Sequence, residues 1–254
     1  MLRSVRRNAL AASALLCVAA AVLGATDSTV AAGTVDIQFS LCDTLPHIER
    51  TLGLRPHGLA TEVWLFDNPT LALYSKGLRL RLRGSGATED LTLKAGDQDC
   101  ARLPAGTLSA GGGKCENDLH GTVSSGALSL TITVDPQTAG ELTAGRLPVA
   151  QALGAAQREF LQRQPGVWPL AADTRPLGPS QVRSYRARKL KYDVDVSTLP
   201  GEQRFIEISR KVPLADAARL RERFEAELAR AGVVVCADQT AQAGNKLRLL
   251  LARP

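Results

Sequence analysis

Along much of this chain, apolar and polar residues alternate one for one, the period of a β-strand whose two faces meet different surroundings. The clearest case is residues 78–83, Leu-Arg-Leu-Arg-Leu-Arg, with one face pure leucine and the other three guanidinium groups. Residues 34–41 set Val35, Ile37 and Phe39 against Asp36, Gln38 and Ser40, and residues 90–94 set Leu91 and Leu93 against Thr92 and Lys94. In residues 114–119, Lys114, Glu116 and Asp118 share a face. In residues 204–210, Glu207 lies opposite Ile206 and Ile208, and in residues 246–251, Lys246 and Arg248 lie opposite Leu247 and Leu249. Further strands are expected at 62–66, 127–134, 182–196 and 233–235, with a turn at Asp67-Asn68-Pro69 and a four-proline loop over 164–181. Helical signals fall at 44–52, ended by Gly53, and at 147–164. A third helix opens at Pro213, carries Leu214, Ala217, Leu220, Phe224 and Leu228 as its stripe, and ends at Gly232. Many strands, three helices and mostly hairpin-compatible connections predict an α+β chain with an antiparallel sheet or barrel.

The first 32 residues stand apart. Arg3, Arg6 and Arg7 precede an apolar run over 9–24, and small residues follow (Gly24-Ala25-Thr26, then Val30-Ala31-Ala32), the layout of an export signal. The expectation is an exported chain, periplasmic or secreted, with one domain over 33–254 and no later segment that crosses a membrane. The whole chain has a formal net charge of +6, and setting the signal aside removes three arginines and one aspartate. Such a mildly basic balance does not imply nucleic acid, and an aromatic content of 4% argues against a base-stacking surface.

Four cysteines remain after the signal: Cys42, Cys100, Cys115 and Cys236. An even count in an exported chain suggests two disulfides, with three pairings open. Cys100–Cys115 is favoured because it closes a short Gly/Ala/Ser-rich loop, worth about 3 kcal/mol in the chain-entropy model, and it leaves Cys42–Cys236. There is no Cys-x-x-Cys pair, and His47, His57 and His120 lack ligand spacing. Gly111-Gly112-Gly113-Lys114 is no phosphate loop, since the first glycine of that pattern is missing and Cys115 replaces Ser/Thr. The charged face of the helix after Pro213 reads as solvated.

The mixed-charge strand faces admit two architectures. In a sheet covered on one side, the apolar face is core and the charged face meets water. In a barrel with helices packed outside, the apolar faces look outward and the charged ones inward, placing Arg and Lys around an anion. Alternation alone favours the wet sheet, because charges are rarely buried.

Residues 62–94 also resemble the CYTH domain of the triphosphate tunnel metalloenzymes. They run from a turn, Phe66-Asp67-Asn68-Pro69, through the strand with Arg79, Arg81 and Arg83 to Leu91-Thr92-Leu93-Lys94. Lys114-Cys115-Glu116-Asn117-Asp118 resembles that family's basic-x-Glu-x-acidic strand, Phe205-Ile206-Glu207-Ile208 a later strand, and Lys246 a basic residue of the last one. The resemblance implies an antiparallel eight-stranded β-barrel, or tunnel, with helices outside. It implies a phosphate-rich anionic small molecule held by Arg79, Arg81, Arg83, Lys94, Arg186 and Lys246, and Mg²⁺ or Mn²⁺ held by Asp36, Glu116, Asp118 and Glu207. Metal-dependent triphosphate hydrolysis would follow, since phosphoryl transfer relies on charge neutralisation and in-line positioning.

The first strand departs from this pattern. Where the family has Glu-x-Glu-x-Lys, this chain reads Asp36-Ile37-Gln38-Phe39-Ser40, one carboxylate and one lysine fewer. A hard cation prefers anionic oxygens, so the departure weakens a metal site. It motivates the alternative of a non-catalytic anion-binding or structural protein that keeps the fold.

Overall fold

In the computed structural model, which describes residues 33–84, 88–104, 106–109, 112–188, 191–239 and 241–252, the alternating strands close on themselves. The export signal read in residues 1–32 lies outside the described residues. The strands are β1 (Thr34–Leu41), β2 (Leu54–Pro56), β3 (Thr61–Asp67), β4 (Leu78–Gly84), β5 (Glu89–Ala95), β6 (Gly113–His120), β7 (Val123–Val134), β8 (Arg175–Ala187), β9 (Tyr192–Thr198) and β10 (Arg204–Pro213). Their order is β8-β3-β4-β5-β7-β6-β1-β10-β9, and β9 pairs back onto β8 to shut the ring. Nine strands thus form the barrel, and β2 pairs only with β8, beyond the stretch that β3 occupies.

This corrects the expected eight antiparallel strands on two counts. The stretch 182–196 is a hairpin of β8 and β9, with Lys191 in the left-handed region at φ 54°. β1 also runs parallel to β6, while its other neighbour, β10, is antiparallel.

The helices are α1 (Leu45–Leu52), α2 (Pro136–Thr143), α3 (Val149–Ala152), α4 (Ala155–Gln162), α5 (Ala217–Arg230) and α6 (Ala241–Leu251). The single helix expected over 147–164 breaks at Leu153-Gly154, where the backbone is extended. β8 begins within the expected proline-rich loop, at Arg175, and Pro213 ends β10 rather than opening a helix. Val233–Val235 yields only a single bridge, Leu41 to Val235. The largest change is at the C-terminus, where 246–251 is helical. Leu247, Leu250 and Leu251 share a helix face as readily as Leu247 and Leu249 share a strand face, so a short apolar run does not decide between them.

The apolar faces point outward. Leu78, Leu80 and Leu82 of β4 join Leu91 and Leu93 of β5 and Leu128 and Leu130 of β7 beneath Leu142, Phe160 and Leu161 of α2 and α4. Val35, Ile37 and Phe39 of β1, Val194 of β9 and Ile208 of β10 form a second core with Ile48 and Leu52 of α1 and Phe224 and Leu228 of α5. Each such side chain contributes about 1.5–3 kcal/mol when fully buried. That drive turns the strands' other faces to the barrel interior. Gln157 pins α4 to the wall: wholly buried, it donates from Nε2 to the carbonyls of Leu91 (2.9 Å) and Leu130 (2.8 Å) and accepts from the Gly154 N–H at 2.9 Å.

Both expected disulfides are present, Cys100–Cys115 and Cys42–Cys236. The second ties the end of β1 to the segment before α6. There Gln239 accepts from the Ser40 N–H at 2.7 Å and the Cys236 N–H donates to the Ser40 carbonyl at 2.9 Å. From this anchor α6 packs Leu247 and Leu250 against Leu177 and Leu199.

Candidate functional site

The arginine row of β4 is set by a turn that the sequence marks. Asp67, 2% exposed, accepts from the backbone N–H groups of Asn68 (2.8 Å), Leu73 (3.0 Å) and Tyr74 (2.9 Å), while Asn68 accepts from Ala72 N–H at 2.9 Å. These bonds satisfy the polar groups of a turn that would otherwise be left unpaired. β4 starts from that clasp with its leucines outward, so Arg79, Arg81 and Arg83 face inward.

They line an interior cavity of about 280 Å³ together with Lys94, Lys246, Glu207 and Asp195. Five cations therefore face two carboxylates, with His120, Gln38, Ser40, Ser180 and Ser197 among the neutral groups. The wet-sheet reading of the Leu/Arg alternation is overturned: the leucines are buried among helices and the arginines line the cavity, Arg81 and Arg83 half-buried within it and Arg79 exposed. Arg81 sits deepest of the three. Its Nε is buried without a hydrogen-bond partner, and burial, with Arg83 and Arg79 alongside, lowers its affinity for the proton. A guanidinium remains charged under such pressure, so an unpaired one inside a barrel is a standing demand for an anion.

Lys246 reaches the cavity from α6. Its Nζ donates to Ser197 Oγ at 2.9 Å and lies 5.7 Å from the centre of the Phe205 ring. Burial pushes its pKa down, against the pull of Glu207. Burial likewise pushes Glu207 up, Asp195 adding to the effect and Lys246 opposing it. Lys246 thus joins the site as expected, although from a helix rather than a strand. Burial also pushes the His120 imidazole below its ordinary value, with Lys94 and Arg79 opposing Asp118 in the same sense.

The other expected residues divide into groups. Arg186 lies outside the cavity, exposed and paired with Asp193 at 3.2 Å, because its register on β8 carries it past the enclosed stretch. Glu207 is with the arginines, but Asp36, Glu116 and Asp118 form a separate patch where β1, β6 and β10 meet. In that patch each acid has a basic neighbour. Glu116 takes Lys114 at 2.7 Å and Lys211 at 2.5 Å, and Asp118 takes Lys94 at 3.0 Å. Asp36 stands level with Asp118 on one side and Lys211 on the other, and accepts from Gln38 Nε2 at 3.1 Å. Burial raises Glu116, yet the bonds from Lys114 and Lys211 prevail and hold it below the usual carboxylate range. Burial dominates at Asp36 and lifts it, with Asp118 and Glu116 adding their repulsion against Gln38 and Lys211.

As a site for Mg²⁺ or Mn²⁺, this donor set fits poorly. Among the described residues, no three His, Cys, Asp or Glu side chains converge on one point suited to a metal ion. Gln38 turns its amide nitrogen to Asp36 and Ser40 brings no charge. The four expected ligands are split between two places.

Asp195, Ser197 and Lys211 join the site without a counterpart among the expected residues. Asp195 and Ser197 were legible in principle, since Tyr192, Val194 and Val196 alternate with Asp193, Asp195 and Ser197 on β9. The hairpin of β8 and β9, which a single strand over 182–196 does not contain, brings them to the cavity.

No protein-family model matches the chain, and no curated protein matches it in sequence. Solved structures do resemble it. A candidate adenylyl cyclase from Hippeastrum, HpAC1, described as having a dominant triphosphatase activity, superposes with a TM-score of 0.52 at 17% identity, covering 86% of this chain and 98% of that one. A candidate adenylate cyclase from Bacillus halodurans gives 0.51 at 13% identity, covering 83% and 98%.

Proposed function

On the premise that the chain has the CYTH-like tunnel fold of these cyclase and triphosphatase structures, we propose that it binds a triphosphate or comparable phosphate-rich small molecule inside the barrel. The observation that carries this reading is the inward row Arg79, Arg81 and Arg83, with the buried Arg81 Nε unpaired. Guanidinium groups suit phosphate oxygens in charge and in geometry. Lys94 and Lys246 extend the basic lining, and Ser197, whose Oγ accepts from Lys246, offers a hydroxyl donor. Triphosphate is favoured over a single phosphate because five cations line the space against two carboxylates, and one phosphate would leave part of that positive excess uncompensated. Calorimetric titration with tripolyphosphate tests this: saturable binding that weakens with salt is expected. A folded protein that gives no saturable heat overturns it.

Metal-dependent phosphohydrolysis is the finer form of the reading. It draws on the fold and on the closeness of Asp36, Glu116 and Asp118. Since those donors fit a divalent cation poorly, no catalytic step is derived through one. Phosphate release from tripolyphosphate in the presence of Mn²⁺, lost in Glu116→Ala, would establish hydrolysis. Export remains part of the proposal and agrees with two disulfides, which persist in oxidising compartments. N-terminal sequencing of mature protein recovered outside the cytoplasm checks it.

A further inference from the structure

The acidic patch beside the cavity poses its own question, because Asp36, Glu116 and Asp118 are carboxylates that the family resemblance offers to a cation. We infer that the tunnel holds its polyphosphate-class anion without a divalent metal, the charge such an ion would bring being built in as lysine ammonium groups. The inference rests on the tunnel-binding reading above and concerns the means by which the same site works.

Three features of the patch carry it. The first is occupancy: Lys114 and Lys211 both hold Glu116, and Lys94 holds Asp118. A metal would have to displace three ammonium groups to gain two carboxylates, giving up ion pairs that already satisfy Glu116 and the buried Asp118.

The second is the missing charge. On the inward face of β1, Asp36 alone is anionic, and Gln38, which donates its Nε2–H to Asp36, brings no charge. Ordinary hard-cation sites gather several oxygen ligands about one point, and the described residues offer no such convergence.

The third is the separation of Glu207. It lines the cavity beside Lys246, which the other three acids do not. Lys94 links the regions: it lines the cavity while bound to Asp118, which offsets part of the charge it offers the ligand. In this arrangement the acids hold lysines, and Lys94, Lys246 and the arginines meet the ligand.

The test is calorimetric titration of the full mature chain with tripolyphosphate, once in excess EDTA and once with excess Mg²⁺. Manganese binding to the protein alone is read in parallel by electron paramagnetic resonance. The inference expects affinity in EDTA equal to that in Mg²⁺ to within about threefold, or tighter, since Mg²⁺ competes for the ligand's charge. It expects no Mn²⁺ binding that Asp36→Asn with Asp118→Asn removes. Affinity at least about tenfold higher with Mg²⁺ would overturn the inference while leaving tunnel binding intact. So would Mn²⁺ binding that the double variant abolishes. Absence of tripolyphosphate binding in both conditions overturns the tunnel reading itself and the inference with it.

Discussion

Two inward-facing strands of one barrel treat charge in opposite ways. On β4, three arginines stand in a row and the buried Nε of the middle one has no partner. At the junction of β1 and β6, Glu116 and Asp118 are bound by lysines, and Asp36 is flanked by Gln38 and Lys211. A buried donor without a partner costs stability that a ligand can return, whereas a paired charge is already satisfied. The difference assigns ligand recognition to the arginine side and support to the acidic side.

The largest effect is expected from breaking the arginine side. Arg81→Met should weaken tripolyphosphate binding by about 100-fold, comparable to losing a desolvated charge-assisted contact, while leaving the melting temperature unchanged or higher. Calorimetry and thermal unfolding of the same sample read both; equal losses of binding and stability would mean that Arg81 is a structural group. Next is the wall that holds the row in place. Gln157→Leu should cost about 1–3 kcal/mol, because the Leu91 and Leu130 carbonyls and the Gly154 N–H lose a buried partner, with anion affinity little changed. Denaturant titration measures it.

On the acidic side the expected effects are smaller and of different sign. Asp118→Asn frees Lys94 and should tighten tripolyphosphate binding by roughly twofold to fivefold, as a partly screened ammonium would. Weaker binding would instead make Asp118 part of the ligand site or of a metal site. The smallest effect concerns pH. The folded state holds Glu116 below its unfolded carboxylate value, so the lysine pairing adds stability above that unfolded value and loses it as pH falls through the depressed folded one. The difference in melting temperature between wild type and Glu116→Gln should therefore shrink on acidification over that window. A constant difference would show that the pairing contributes nothing.

Much of the barrel wall was legible because alternation is a local signal. Leu78 to Arg83 fixes which residues share a face whatever the surroundings, but it does not say which face is wet. Only the order of motifs around it, from Asp67 to Lys94, pointed to an enclosed arginine face. Two things escaped for a physical reason. The Lys246 segment carries apolar spacing that serves a strand or a helix equally, and its packing on Leu177 and Leu199 decides the matter. One lysine partner lies far off in sequence, Lys211 for Glu116, and only barrel closure brings the two together.

The parallel pairing of β1 with β6 has a consequence for how the molecule assembles. β3-β4-β5 is a run of neighbours in sequence, and β5-β7-β6 nearly so, whereas β1 waits for β6 on one side and for β10, more than 160 residues later, on the other. Contacts between distant segments carry the greater loop-closure cost, so they form late. The arginine wall should therefore gain its shape before the first strand is sealed in. Pulsed hydrogen exchange during refolding should show amide protection in β4 and β5 ahead of β1, and protection of β1 first would reverse this order. By this route the end of the chain completes the place where its beginning belongs.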